Sequence, residues 1–153
     1  MKKIFLILIL LPSLISAQNK ISTFYSDYQL DKTFDGTRKE GYEKVIIILN
    51  DPKFQTTKSM QFADLPNGTI KIKIEGVDIV TETIVYLAKT KSKNDIYPIT
   101  HTETGNDILY VIKEIHKVGK KTYSHTILLG KSDEENFSGL PKYFTAFHCN
   151  LKK

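Results

Sequence analysis

Two imidazoles, a carboxylate and two phenols fall within the segment from Tyr110 to His125, and they are the residues best placed to do chemistry. A short connection centred on Gly119-Lys120 implies a hairpin, which fixes the side chains that stand opposite one another. In that register His116 faces Tyr123, Glu114 faces His125, Ile112 faces Ile127 and Tyr110 faces Leu129, all on one side of the ribbon. Two histidines and a glutamate are a metal-binding set, and a glutamate beside a histidine orients the ring as a base. Neither H-E-x-x-H nor another metal spacing accompanies them. A solvated cross-strand pairing at the hairpin tip, adding a fraction of a kcal/mol, accounts for the same residues. No catalytic residue, metal ligand or cofactor is therefore assigned. Tyr110, Glu114, His116, Tyr123 and His125 stand as candidate ligand-binding residues.

The other reactive side chains are weaker candidates. In the run Tyr143 to Cys149, alternation sets Phe144, Ala146 and His148 on one face and Tyr143, Thr145, Phe147 and Cys149 on the other. Neighbouring His148 and Cys149 then point apart, which disfavours a Cys/His nucleophile pair, and no Gly-x-Ser-x-Gly elbow points to a serine hydrolase. Cys149 is the only cysteine, so no intrachain disulfide forms, and its apolar neighbours favour burial. Asp27, Asp31 and Asp35 recur every four residues, but the EF-hand spacing and its closing glutamate are missing, so Asp35-Gly36 reads as a turn. His101 has no partner in sequence. Asn67-Gly68-Thr69 and Asn136-Phe137-Ser138 fit the glycosylation acceptor pattern.

These residues are positioned by strands. Ile70 to Glu75 alternates strictly between isoleucine and charged residues, the mark of a half-buried strand. Glu43 to Leu49 suits a more central strand ended by Asn50-Asp51-Pro52, and Val77 to Ala88 reads as one long strand or two short ones. Ile108 to Lys117 and Thr122 to Leu129 flank the hairpin turn, with further strands at Tyr143 to Asn150 and Ile21 to Tyr28. Asp31 to Gly41, Lys91 to Asp95 and Lys131 to Gly139 read as loops, with a helical turn at Asp133 to Asn136. The fold class expected is all-β, an antiparallel β-sandwich of about seven to nine strands, with a lipocalin-like β-barrel as the alternative.

Phe62, Leu65, Pro66, Gly68, Ile70, Ile72 and Ile74 spell F-x-x-L-P-x-G-x-I-x-I-x-I. This resembles the strand, turn and strand of bacterial immunoglobulin-like and prealbumin-like sandwich modules, although those tend to carry tyrosine where this chain has Ile70. The resemblance implies a sandwich in which Leu65 plugs the core and Pro66 and Gly68 shape a turn. It implies no activity. The Gly-x-Trp usual near the start of lipocalins is missing, because the chain has no tryptophan.

Lys2 and Lys3, an apolar run from Ile4 to Leu11, Pro12-Ser13 and a small-residue site at Ser16-Ala17 have the pattern of a cleaved signal peptide over residues 1–17. The run is far shorter than the roughly 20 residues that span a bilayer. No cysteine follows the cut to take a lipid. The expectation is an exported, soluble, unlipidated chain of one domain over residues 18–153, periplasmic or secreted and bacterial in composition. Without Lys2 and Lys3, 20 basic residues stand against 17 acidic ones. The signs are interleaved, which argues against nucleic acid. The leading function is a non-catalytic binding or interaction module of the cell envelope or extracellular space, whose partner is a protein, a glycan or a small apolar ligand. One alternative is a lipocalin-like carrier with Tyr110, Ile112, Ile127 and Leu129 around its cavity. Another is a small metal-assisted hydrolase built on Glu114, His116 and His125.

Overall fold

Isoleucine and valine at alternate positions draw the chain into strands, because β-branched side chains pack well on a pleated surface. The computed structural model describes residues 18–89, 94–100, 107–131, 141 and 143–153. Its strands are β1 (Lys20–Lys32), β2 (Arg38–Gly41), β3 (Val45–Asp51), β4 (Asn67–Ile74), β5 (Val77–Val85) and β6 (Ala88–Lys89). They continue with β7 (Asp95–Pro98), β8 (Asp107–Ile112), β9 (His116–Val118), β10 (Lys121–Tyr123), β11 (His125–Lys131) and β12 (Phe144–Leu151). The expected loops at Lys91 to Asp95 and Lys131 to Gly139 fall largely outside the described residues. The leader, the turn at Asp133 to Asn136, His101 and the Asn136 acceptor pattern fall wholly outside them.

One antiparallel sheet runs in the order β5-β4-β3-β1-β12-β11-β8-β7-β6, with β2 added to β1, and β9 and β10 form a separate ribbon. This is a meander whose first long strand, β1, also pairs with its last, β12. β5 and β6 end the order on opposite sides yet follow each other in the chain, so the bent run 77–89 pairs with β4 and then with β7. An Ile84–Ile99 bridge joins the two sides, flanked by the Leu87 and Thr100 amides donating to Ile96 and Thr83 carbonyls at 3.0 and 2.9 Å. The fold is thus all-β. Its single large sheet is nearly barrel-shaped and fits the barrel alternative, a curled sheet instead of two facing ones.

The inward positions fill the middle of this barrel. Phe24, Val45, Ile47, Leu49, Ile70, Ile72, Ile84, Tyr97, Leu109, Val111, Ile127, Phe147 and Cys149 are buried in one cluster. A second cluster of Ile96, Ile108, Tyr110 and Leu128 lies on the outward side of β7, β8 and β11.

Three expectations are corrected by this structure. Phe62 is 56% exposed in a 3-10 turn and Leu65 is only half-buried, so neither plugs the core. Gly68 lies inside β4, not in a turn, and glycine is needed there because a Cβ would press on the Asn50 carbonyl oxygen and sit 2.5 Å from Pro52 Cδ. The segment Asp31 to Gly41, expected as a loop, contains β2, which continues the sheet beside β1 where β3 has ended.

Candidate functional site

The hairpin forms at its expected turn, with His116 opposite Tyr123. Nearer the barrel the register differs, for Val111 stands opposite Ile127 and Tyr110 opposite Leu128. Between the Ile112–Thr126 and His116–Tyr123 pairs, the three residues Lys113 to Ile115 stand against only Ser124 and His125, and this mismatch slips the pairing by one residue. A slip of one residue exchanges the faces. The expected single face is therefore divided: Ile127 and Leu129 point into the barrel, while Tyr110 and Ile112 point out. The cavity lining expected from those four residues is not formed.

His116 and His125 are also separated. His116 stacks on His148 outside the barrel, ring centroids 4.0 Å apart and planes within 10°. A bulge between Ser26 and Tyr28 turns Tyr28 outward onto His148 at 5.4 Å. Thr126 Oγ1 lies 2.9 Å from His148 Nδ1, and burial, then the charge of His116, holds His148 down to about 4. Tyr123 is buried beside them and donates to Asp27 at 2.7 Å, so it clasps the hairpin to β1. Glu114 is exposed in the link between β8 and β9. The Glu114, His116 and His125 set that a metal-assisted hydrolase requires is not assembled. As expected, His148 and Cys149 face opposite ways, and burial pushes the Cys149 thiol up to about 12.

Of the five candidates, His125 lines a cavity at one end of the barrel. It begins β11 on the inward side, edge-on to Phe24 at 5.2 Å, with Nδ1 2.8 Å from Ser124 Oγ. Burial, and then the charge of Lys113, lowers its pKa below the usual histidine range. Around it, one end of the barrel opens into a cavity of about 1010 Å³ walled by Phe24, Leu49, Tyr97 and Val111. That is large enough for a drug-sized ligand, since such sites span roughly 300–1,000 Å³.

The rim of this cavity is cationic. Lys20, Lys53, Lys89, Lys113, Lys152 and Lys153 all line it, against Asp51 and Asp95. Lys53 occupies both carboxylates, at 3.6 Å from Asp51 and 2.8 Å from Asp95. Tyr97 donates to Asp51 at 3.0 Å and Tyr86 to Asp95 at 3.3 Å. Burial and the nearby carboxylates raise both phenols, Tyr86 to about 12. Burial pulls Lys53 downward, but its bonds to Asp95 and Asp51 outweigh that and leave it raised. Among the described residues the other five lysines form no ion pair; Lys20 lies over the Phe54 ring and Lys152 over Tyr25.

The opposite end holds a smaller cavity of about 600 Å³, bordered by Phe34, Val80, Ile99 and Leu129, with both charge signs around it. Sequence reasoning missed the lysine-rimmed end because each lysine, taken alone, reads as a solvated surface residue. The nearest signal in the sequence is Lys89, which opens a short basic stretch with Lys91 and Lys93.

Fold and site together define an all-β, barrel-like protein with a ligand-sized cavity at one end. Compared with protein-family models, with curated proteins and with solved structures, the chain matches none of them.

Proposed function

We propose that this protein is a non-catalytic binding module that takes a small ligand into the lysine-rimmed end of its barrel. The observation that carries this reading is the cavity of about 1010 Å³, with an apolar wall, a polar rim and a closed floor of packed side chains. The reading keeps the carrier idea but moves the ligand from the barrel's middle, filled by Ile47, Ile70, Ile72 and Ile127, to its mouth. Titration with anilinonaphthalene sulfonate, followed by amide chemical shifts, tests it. Saturable shifts at Phe24, Tyr97, Val111 and His125 are expected, and their absence would overturn the proposal.

The signal-like pattern over residues 1–17 supports export, with the protein soluble and unlipidated in the periplasm or outside the cell. Amino-terminal sequencing of the protein from its host checks this. A start at Gln18 supports export, and a chain retaining Ile4 to Leu11 refutes it.

A further inference from the structure

We infer that the occupant of the lysine-rimmed cavity is a small organic anion: a carboxylate, sulfonate or phosphate group borne on one apolar ring or a short chain. The inference rests on the ligand-binding reading above and adds the chemistry of the ligand.

Charge decides the head group. Both carboxylates of the cavity, Asp51 and Asp95, are already bonded to Lys53 and to tyrosine hydroxyls. Among the described residues a cationic ligand would find no free carboxylate there and would meet Lys20, Lys89, Lys113 and Lys152 around it. An anion meets the same lysines as donors, and a concave, low-dielectric wall focuses their field on it. A charge-assisted hydrogen bond is roughly twice as strong as a neutral one.

Shape decides the rest. Phe24, Leu49, Tyr97 and Val111 supply an apolar wall. The floor is closed, since Ile47, Ile70, Ile72 and Ile127 fill the barrel beneath. A long acyl chain has no way down, but a single ring or a short chain has. His125 stands edge-on to Phe24 at the boundary between wall and rim, where its imidazole meets the head group and the ring alike.

The test pairs two probes with one ring system: anilinonaphthalene sulfonate and phenylnaphthylamine, which lacks the sulfonate. Binding is measured by fluorescence titration of the whole protein and located by amide shifts. The sulfonate is expected to bind at least about tenfold more tightly, a ratio equal to about 1.4 kcal/mol. Raising the salt concentration should weaken the sulfonate alone. Lys113→Gln and Lys152→Gln should each weaken it several-fold, and Lys71→Gln, on the outer face of β4, should not. Lys113 and Lys152 are exposed and Lys71 is half-buried, and unchanged thermal unfolding verifies that each variant folds. Equal affinity for the two probes within the cavity would overturn the anion assignment while leaving the cavity as the binding site. Binding of neither probe there would overturn the underlying reading. Binding confined to vesicles of anionic lipid, with no soluble anion taken up, would also overturn the inference by assigning the rim to a membrane surface.

Discussion

Acid should loosen this fold from below about pH 6.5, and His148 is the reason. The ring is 7% exposed, sandwiched between His116 and Tyr28, with Thr126 on its Nδ1. Protonation would place a charge in that stack beside a second imidazole. The pKa is held down to about 4 from 6.5. At about 1.4 kcal/mol per pH unit, that difference is worth at most about 3 kcal/mol of stability. The sign follows from the depressed value. Above about pH 6.5 the neutral ring is present in folded and unfolded chains, and the full contribution is there. As the pH falls, the unfolded chain takes up the proton first, so stability declines until the folded ring also titrates near 4. Asp27 and Asp35 do not confuse this window. Hydrogen bonds from Lys121 and Tyr123 lower Asp27, and those of Thr33 and Thr37 lower Asp35 to about 2, so both act below it.

The assay is thermal unfolding by circular dichroism across that range, for the native sequence and for His148→Phe. Phenylalanine keeps the stacked ring but cannot take a proton. The variant should be less stable near neutral pH by about 1 kcal/mol for the hydrogen bond lost at Thr126. It should then lose less on acidification, so that the two curves cross and the difference between their midpoints changes by about 10 °C in all, at a few degrees per kcal/mol. His125 titrates in both proteins and cancels. Parallel curves for the two proteins would refute the reasoning, because they would mean that His148 gains its proton as readily in the fold as outside it.

Gly68→Ala should destabilise the protein by about 1–3 kcal/mol in urea, since its Cβ would press on the Asn50 carbonyl and Pro52, neither a flexible side chain. Because Pro52 leads into Lys53, the same variant should weaken probe binding; an unchanged midpoint would contradict the close approach. Cys149, with its thiol raised to about 12 by burial and its Sγ 3.6 Å from the His125 carbonyl oxygen, should resist alkylation until the protein is denatured, and prompt labelling of the native protein would refute that burial. An anion beside His125 offsets the effect of Lys113, so sulfonate affinity should rise as the pH falls through the histidine range, and His125→Asn should remove that slope.

Much of the fold was legible where the signal is local. Strict alternation at Ile70, Ile72 and Ile74 fixed a strand and its inward face, and Gly119-Lys120 fixed a turn with His116 opposite Tyr123. The opposed faces of His148 and Cys149 were readable for the same reason, since a period of two needs no partner strand. The remainder depended on distant pairings. Nothing in the composition of Lys113 to Ile115 marks the slip that exchanges the faces of Tyr110 and Ile127. The bend between β5 and β6, which brings Ile84 to Ile99, is likewise set by the closure of the sheet. The site was less legible than the fold. Of the five candidate residues only His125 lines the cavity, because its other walls come from β1, β3, β7, β8 and the end of β12, most of them far apart in sequence.

The lysines around that cavity differ from those elsewhere in a way that bears on function. On the outer face of β4, Lys71 and Lys73 meet Asp78 across the hairpin at 3.8 and 3.1 Å, so surface lysines are balanced locally where a partner is at hand. Exposed pairs of this kind add only a few tenths of a kcal/mol, and nothing about stability would forbid the same arrangement at the mouth. There, both carboxylates instead turn toward Lys53 and two tyrosines, and the rim keeps its positive charge. Like charges gathered over an apolar wall repel one another, at a cost the folded chain bears without a compensating carboxylate among the described residues. The packed centre explains why it can: Ile47, Ile70 and Ile72 are fully buried, so the barrel holds together independently of its open end. A stable floor beneath a rim whose two described carboxylates are both taken up by Lys53 is the arrangement that the proposed anion would complete.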